Sequence, residues 1–199
     1  STPKIPIQVP SIDCILGDKL TAFAPYTTGI PFGVDKELEI IKQLNDIACL
    51  FNELQDYEAV RKTYLKTAEI EISFRGLDID YKECLRDTIR ACLSVMAKGT
   101  ICKEDYQQFL IGIRKVKGHM IGYKYNPDDA VDQASKVLYL CSCLLSEHEF
   151  EKDIDFNEYK EVTKLPNKLK SLFYIKRFNF SAFGYLCKSL ELISLEELI

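Results

Sequence analysis

The sequence is poor in the residues that zinc sites and nucleophilic enzymes require. It has two histidines, His119 and His148, and none of its eight cysteines forms a C-x-x-C pair. A zinc site needs Cys or His ligands clustered at short spacing, so none is predicted. Neither histidine has a nucleophile partner at recognisable spacing, so a catalytic triad is not predicted either.

Signals for secretion or membrane insertion are also missing. No signal peptide begins the chain, and the longest apolar run, residues 137–145, is too short to cross a bilayer. We expect the cysteines to be free, buried thiols that pack as small hydrophobes, because disulfide frameworks are typical of small secreted domains. The one close pair, Cys141 and Cys143, faces different sides of a predicted helix. These features predict a cytoplasmic protein without a membrane partner.

A strongly basic charge balance is absent as well. The 199 residues include 26 basic and 30 acidic side chains, which gives a net charge of −4. This excludes a basic field over the whole chain for nucleic acid and leaves only local patches. With 47% apolar and 28% charged residues, the composition is that of an ordinary globular protein.

Helical periodicity of apolar residues predicts an all-α fold. The chain has only nine glycines, and Leu, Ile, Lys and Glu dominate its composition, which favours helix over sheet. Residues 3–10, with three prolines, predict a short extended or edge-strand segment ahead of the helices. The helical patterns fall in residues 12–24, 36–55, 58–73, 80–98, 103–117, 128–148 and 180–192, and the final residues are expected to continue the last helix.

Capping residues mark several of these boundaries. Asp80 with Glu83 predicts a capping box, and Asn126 followed by Pro127 predicts a helix start. Gly76 breaks the chain and suggests a weak boundary. We therefore expect a multi-helix bundle with a division between residues 1–75 and residues 76–199.

The residues that suggest chemistry lie in the first quarter of the chain. Lys19 falls inside one apolar helix and Asp46 inside another, with a loop rich in Thr and Gly between them. Two antiparallel helices can present both groups to one cleft, where an ammonium group suits phosphate oxygens and Thr and Gly can donate to the same anion. The same two residues also fit a solvated face or a surface ion pair of little energetic value.

Residues 11–47 resemble the C-terminal motifs of bacterial AbiEii/AbiGii-type nucleotidyltransferase toxins. The segment GDKLTAF places Asp18 and Lys19 on a helix motif with a Glu-Lys-Leu-like core that supplies a conserved lysine. The segment KQLNDI places Lys42 and Asp46 on a second motif, Arg/Lys-Asp-x-x-Asp-Ile/Leu. The chain departs from the family at Asp18, which replaces a Glu, and at Gln43, which replaces the first Asp of the second motif.

The resemblance implies that the chain is the C-terminal part of a nucleotidyltransferase-fold protein. Residues 1–75 would complete the transferase site, and residues 76–199 would form a helical bundle. Lys19 and Asp46 would be the catalytic residues of this part. The nucleotide-binding residues would be Lys19, Thr27, Thr28 and Lys42.

The resemblance also implies a reaction and partners. The reaction is transfer of a nucleotide from an NTP to an acceptor such as tRNA, in phage defence or a toxin–antitoxin pair with a cognate antitoxin. In the family, the Asp-x-Asp/Glu strand that holds Mg²⁺ precedes the lysine helix, so we expect it upstream of Ser1. The intact enzyme would then bind Mg²⁺ and NTP, while this chain alone would hold no cofactor and be inactive.

Four further patterns leave alternatives open. Asp78 with Asp80, and Asp153 with Asp155, have the spacing of a metal-binding pair, although a helix start explains Asp80 better. The basic stretches 114–125 and 164–177 interleave Lys, Arg and His119 with aromatic residues, as in RNA-binding surfaces, but also fit a solvated face with core aromatics. The alternative function is therefore a non-catalytic helical module that binds a protein or RNA partner.

Overall fold

The prediction of an all-α fold is confirmed. A computed structural model describes residues 2–6, 8–119 and 124–199, and these residues form eight α-helices with short 3-10 turns and no β-strand. Within the same ranges, no helix is both long enough and apolar enough to span a bilayer. The α-helices are α1 (Ile12–Lys19), α2 (Glu37–Asn52), α3 (Tyr57–Arg75), α4 (Tyr81–Ala97), α5 (Lys103–His119), α6 (Pro127–Ser146), α7 (Ile175–Phe178) and α8 (Phe180–Leu192).

Side-chain caps set the helix boundaries largely where the sequence predicts them. Asp80 accepts a hydrogen bond from the backbone N–H of Glu83 at 3.1 Å, but the Glu83 carboxylate pairs with arginine side chains of α4. The reciprocal capping box forms instead at Asn126, ahead of Pro127 at the start of α6. Gly76 ends α3 in the left-handed conformation, with φ of 63°, which glycine adopts at low cost.

The core is built around α4 and α6, which pack against each other along their lengths. Helix α2 packs on α5 and α6, α8 covers another side of α6, and α1 lies across α3. Residues on both sides of Gly76 contribute to one apolar cluster, including Leu44 on α2, Leu93 on α4 and Leu138 on α6. The assignment of different functions to residues 1–75 and 76–199 stays a prediction.

A close approach of two helices fixes the position of α1. A Cβ atom at Gly17 would lie 2.6 Å from the carbonyl oxygen of Val60 on α3, a distance at which neither helix could stay in place. The glycine therefore lets α1 contact the backbone of α3 directly. The end of α1, with Lys19, is held beside α2 in consequence.

The N-terminal segment is non-helical, as expected, whereas two helix ends differ from the prediction. Residues 2–6 and 8–10 are exposed and show no regular structure. Helix α1 ends at Lys19, before the predicted end at residue 24, and continues only as a 3-10 turn, Leu20–Ala22. The expected continuation of the last helix is wrong, since Ile193 is extended and a separate 3-10 turn, Leu195–Leu198, follows.

The cysteines are free throughout the chain, as expected, and most are buried. Cys141 and Cys143 point to different sides of α6, yet both are buried because other helices surround α6. Cys49 and Cys102 are exposed, so the prediction of burial is wrong for these two. Neither lies on the core-facing side of its segment.

Candidate functional site

Lys19 and Asp46, the two predicted catalytic residues, form an ion pair. The Nζ atom of Lys19 donates a hydrogen bond to Oδ2 of Asp46 at 2.9 Å, across 27 residues of sequence. Lys19 lies at the end of α1 and Asp46 in the middle of α2, so the pair joins the two helices. The structure thus brings together the two residues that the two motifs contribute.

The pair is open to solvent. The Lys19 side chain is 34% exposed and the Asp46 side chain is 45% exposed. An ion pair with this exposure contributes at most about 1 kcal/mol to stability. The exposure leaves the Lys19 ammonium accessible to a phosphate group, and it equally fits an ordinary surface ion pair.

Lys42 and the neighbours of Asp46 extend this surface along α2. Lys42 is exposed and lies one helical turn before Asp46, on the same side of the helix. Gln43, which departs from the family motif, is half-buried. Sequence reasoning missed Asn45, whose side-chain oxygen accepts a hydrogen bond from Gln133 of α6 at 2.7 Å. This bond ties the predicted site to the bundle.

Thr27 and Thr28 are used within the fold. The Thr27 hydroxyl donates to Oδ2 of Asp87 at 2.8 Å, and the Thr28 hydroxyl donates to the backbone oxygen of Thr21 at 2.8 Å. Thr28 is only 3% exposed. Their role as donors to a phosphate stays a prediction, and it would require these hydroxyl groups to leave their present acceptors.

Asp87 is a buried carboxylate at this site that the sequence did not lead us to predict. It lies on α4 and is 1% exposed. Burial raises the pKa of its carboxyl group, and hydrogen bonds from Thr27 and from the backbone N–H of Tyr26 partly counter that rise. The only signal in the sequence is a single Asp within the apolar pattern of α4. Asp87 anchors the loop between α1 and α2.

A cavity of about 410 Å³ lies at this loop. Thr28, Lys36, Glu71 and Arg75 are among the residues that line it, whereas Lys19 and Asp46 are not. The basic residues that line this cavity, Lys36 and Arg75, therefore do not form one site with the Lys19–Asp46 pair.

The Asp-x-Asp pairs act as helix caps. Asp80 caps α4, which confirms the helix-start interpretation, and Asp155 caps a 3-10 turn by accepting from the N–H of Asn157 at 3.0 Å. Across residues 2–6, 8–119 and 124–199, no three His, Cys, Asp or Glu side chains are placed to hold a metal ion together.

Two lysines of the basic stretch 164–177 form hydrogen bonds within the fold. Lys176 donates to the carbonyl oxygens of Lys160 at 2.7 Å and Val162 at 2.6 Å, and its ammonium lies over the ring of Phe173 at 5.7 Å. Lys168 donates to carbonyl oxygens near the end of the chain. These cations stabilise the C-terminal turns.

The basic stretch 114–125 is more accessible. Lys115 pairs with Asp35 and Glu37, and Tyr125 is buried. Three other cations line a cavity of about 340 Å³ between α5 and the start of α6. These cations are Arg114, Lys117 and Lys124. Tyr123, an expected base-stacking residue, falls outside the described residues.

No protein-family model, curated protein or solved structure matches this chain. The likeness to AbiEii/AbiGii nucleotidyltransferases therefore rests on the motifs around Lys19 and Asp46. The transferase role of these residues is accordingly a proposal.

The geometry defines what this surface can do chemically. An ammonium group on α1 is oriented by a carboxylate on α2, and a second ammonium group, that of Lys42, lies one turn away. Such a surface can bind a phosphate group by exchanging the ion pair for phosphate contacts. It offers no group suited to activate a nucleophile by itself.

Proposed function

We propose that the chain is the helical C-terminal region of a nucleotidyltransferase toxin. The intact protein would transfer a nucleotide from an NTP to an RNA acceptor such as tRNA, in the cytoplasm, in phage defence with a cognate antitoxin. The observation that supports this proposal is the contact of Lys19 with Asp46 at 2.9 Å. The resemblance assigns Lys19 and Asp46 to two motifs of a single site. In this structure the two residues are in contact and partly exposed to solvent.

Each residue has a role in the proposal. Lys19 binds phosphate oxygens of the NTP, and Asp46 orients the Lys19 ammonium before the nucleotide arrives. Lys42 adds positive charge on the same side of α2. Because an ammonium group is a compact point charge with three donors, Lys19 suits the crowded oxygens of a triphosphate.

Mg²⁺ does not fit the residues of this site. An Mg²⁺ ion needs several oxygen ligands in octahedral arrangement, and the one carboxylate here, that of Asp46, is bonded by Lys19. No step that we assign to this chain uses a metal ion.

Nucleotide binding to the purified chain tests the proposal. We expect ATP or GTP to shift the amide NMR signals of α1 and of α2 near Asp46, and Lys19→Met to abolish these shifts. Lys66→Met is the matched control, because Lys66 is an exposed lysine on α3. Absence of shifts in the unmodified chain, or equal shifts in the two variants, would count against the proposal.

Activity gives a second test. We expect the 199-residue chain by itself to transfer no nucleotide, because no metal-binding carboxylate cluster is present in its described residues. Robust transfer of NMP from a labelled NTP to RNA would contradict this expectation.

A non-catalytic module that binds RNA is the second candidate. The cavity lined by Arg114, Lys117 and Lys124 favours it, since the three cations have no ion-pair partner within the described part of the chain. Fluorescence anisotropy with tRNA would measure the affinity of the chain and of a variant with all three residues changed to Gln. We expect the variant to bind more weakly and with a smaller salt dependence. Unchanged binding would exclude this surface.

A further inference from the structure

Two consecutive hydrogen bonds connect the start of α6 to the proposed nucleotide site. The hydroxyl group of Tyr125 donates to Oε1 of Gln133 at 2.7 Å, and Nε2 of Gln133 donates to Oδ1 of Asn45 at 2.7 Å. Gln133 lies on α6, and Asn45 lies on α2 next to Asp46. We call these three residues the amide network.

The direction of the two bonds determines how the Asn45 amide is turned. A side-chain amide has an oxygen that accepts hydrogen bonds and a nitrogen that donates two. Because Tyr125 occupies the oxygen of Gln133, the nitrogen of Gln133 faces Asn45 and bonds its oxygen. The Nδ2 atom of Asn45, with its two N–H donors, therefore lies on the outer side.

These donors of Asn45 are free and reach the protein surface. Within residues 2–6, 8–119 and 124–199, Nδ2 of Asn45 donates to no protein group, and only its oxygen is bonded. In the same residues, the buried side-chain atoms without a partner are the hydroxyl oxygens of Tyr57 and Tyr64. The unpartnered Nδ2 of Asn45 is thus not a buried atom, and a ligand can contact it without a change of fold.

Asn45 lies beside the cations of the proposed site. Lys42 is exposed and precedes Asn45 by three residues, so the two side chains are neighbours on one side of α2. Asp46 is the next residue, and its carboxylate holds Nζ of Lys19 at 2.9 Å. One ligand can therefore contact Lys19, Lys42 and Asn45 together.

The groups on this surface suit a phosphate chain better than a nucleotide base. Lys19, Lys42 and the outer side of Asn45 offer N–H donors, because Gln133 occupies the oxygen of Asn45. Phosphate oxygens accept hydrogen bonds, whereas the edge of a base presents donors and acceptors side by side.

We propose that Asn45 binds phosphate oxygens of the ligand, and that the Lys19–Asp46 site binds a polyphosphate chain whatever base it carries. Gln133 is a positioning residue, since it keeps the NH2 group of Asn45 turned outward without touching the ligand. The inference rests on the proposed nucleotide binding at Lys19 and Asp46. It adds a binding residue and a ligand class to that proposal.

Tripolyphosphate is the probe, with ATP and adenosine as comparisons. We expect tripolyphosphate and ATP to bind the unmodified chain with similar affinity. Both should shift the backbone amide NMR signals of residues 42–46 and the side-chain NH2 signals of Asn45, and adenosine should shift none of them. Asn45→Ala should weaken tripolyphosphate binding about tenfold, as expected for loss of a hydrogen bond to a charged group.

Two substitutions of Gln133 separate positioning from a purely structural role. Gln133→Glu offers oxygens to both Tyr125 and Asn45, so Asn45 should turn its NH2 group inward and its oxygen to the ligand. Binding should then weaken about tenfold. Gln133→Met removes both bonds and leaves the Asn45 amide free to take either orientation, so binding should weaken only about twofold.

Gln107→Glu is the control for the added charge, because Gln107 is an exposed glutamine on α5. We expect this variant to bind tripolyphosphate like the unmodified chain, and thermal melting checks that every variant is folded. A larger loss of binding in Gln133→Met than in Gln133→Glu would overturn the positioning role, since a structural role predicts that order.

The inference and the proposed function fail in different ways. If Lys19→Met abolishes tripolyphosphate binding and Asn45→Ala leaves it unchanged, the inference is overturned and nucleotide binding at Lys19 stands. Binding of ATP without binding of tripolyphosphate would overturn the ligand class. Absence of shifts with both ligands, including the NH2 signals of Asn45 in the unmodified chain, would overturn the inference and the proposed function together.

Discussion

The carboxylate of Asp87 on α4 accepts a hydrogen bond from the hydroxyl of Thr27 at 2.8 Å, across 60 residues of sequence. The same oxygen accepts from the backbone N–H of Tyr26 at 2.9 Å. The loop between α1 and α2 is thereby attached to the central helix of the bundle. Since α1 and α2 carry Lys19 and Asp46, this attachment helps to fix the relative positions of the two residues.

Replacing Asp87 by Ala should destabilise the protein. The change leaves two donors, those of Thr27 and Tyr26, without their acceptor, and each such group costs roughly 1–3 kcal/mol. We expect the free energy of unfolding to fall by about 3 kcal/mol in urea denaturation. Asp87→Asn retains an acceptor and should be the milder change. Equal losses for the two variants would show that the hydrogen bonds do not explain the role of Asp87.

The ionisation of Asp87 should make stability depend on pH. Burial raises its folded-state pKa above the ordinary value of 3.8, so the folded state binds the proton more tightly than the unfolded state. The stabilising contribution is present below the ordinary pKa and is lost as pH rises through the folded-state pKa. The difference in unfolding free energy between the unmodified chain and Asp87→Asn should therefore fall as pH rises over this window. Urea unfolding of both proteins at several pH values measures this, and a flat or rising difference would contradict it.

The sequence predicts much of the helical fold, because local signals determine it. A helix start or end is set by residues within one turn of it. The structure has the predicted start of α6 at Asn126 and Pro127, and the predicted end of α3 at Gly76. The attachment of Thr27 to Asp87 could not be predicted, since it depends on how α4 packs against a loop distant in sequence. Exposure of Cys49 likewise depends on which side of α2 its neighbours cover.

The site was predictable only in part, for the same reason. Two motifs identify Lys19 and Asp46, and their adjacency follows from the packing of α1 on α2. The threonines were expected to face a phosphate because Thr is common in anion-binding loops. Their hydroxyl groups instead donate within the fold, which composition alone cannot indicate.

The Lys19–Asp46 pair should contribute little to stability. Both side chains are solvent-exposed in part, and exposed ion pairs couple by about 0.2–1 kcal/mol. A double-mutant cycle with Lys19→Met and Asp46→Asn, followed by chemical denaturation, measures the coupling. A value well above this range would indicate a structural role for the pair. A small value together with loss of nucleotide binding in Lys19→Met would favour the functional role.

Two glycines on α5 provide a matched test of the packing between α2 and α5. A Cβ atom at Gly112 would lie 2.2 Å from the carbonyl oxygen of Glu37 on α2, whereas one at Gly118 would meet open space. Gly112→Ala should therefore lower the free energy of unfolding by about 3 kcal/mol, as overpacking does. Gly118→Ala should leave it unchanged or raise it by up to about 1 kcal/mol. Similar stabilities of the two variants would show that the helices do not approach this closely.

The basic stretch 164–177 should matter for folding more than for RNA binding. Lys176 donates to two carbonyl oxygens and lies over aromatic rings, whereas its neighbour Arg177 is exposed. Because hydrogen bonds from charged groups are stronger than neutral ones, Lys176→Met should cost roughly 2 kcal/mol in thermal or urea unfolding. Arg177→Met should change stability by less than about 0.5 kcal/mol. If Lys176→Met is as stable as the unmodified chain but binds tRNA more weakly, the stretch has an RNA-binding role instead. Measuring both stability and tRNA affinity therefore distinguishes a structural lysine from a ligand-binding one.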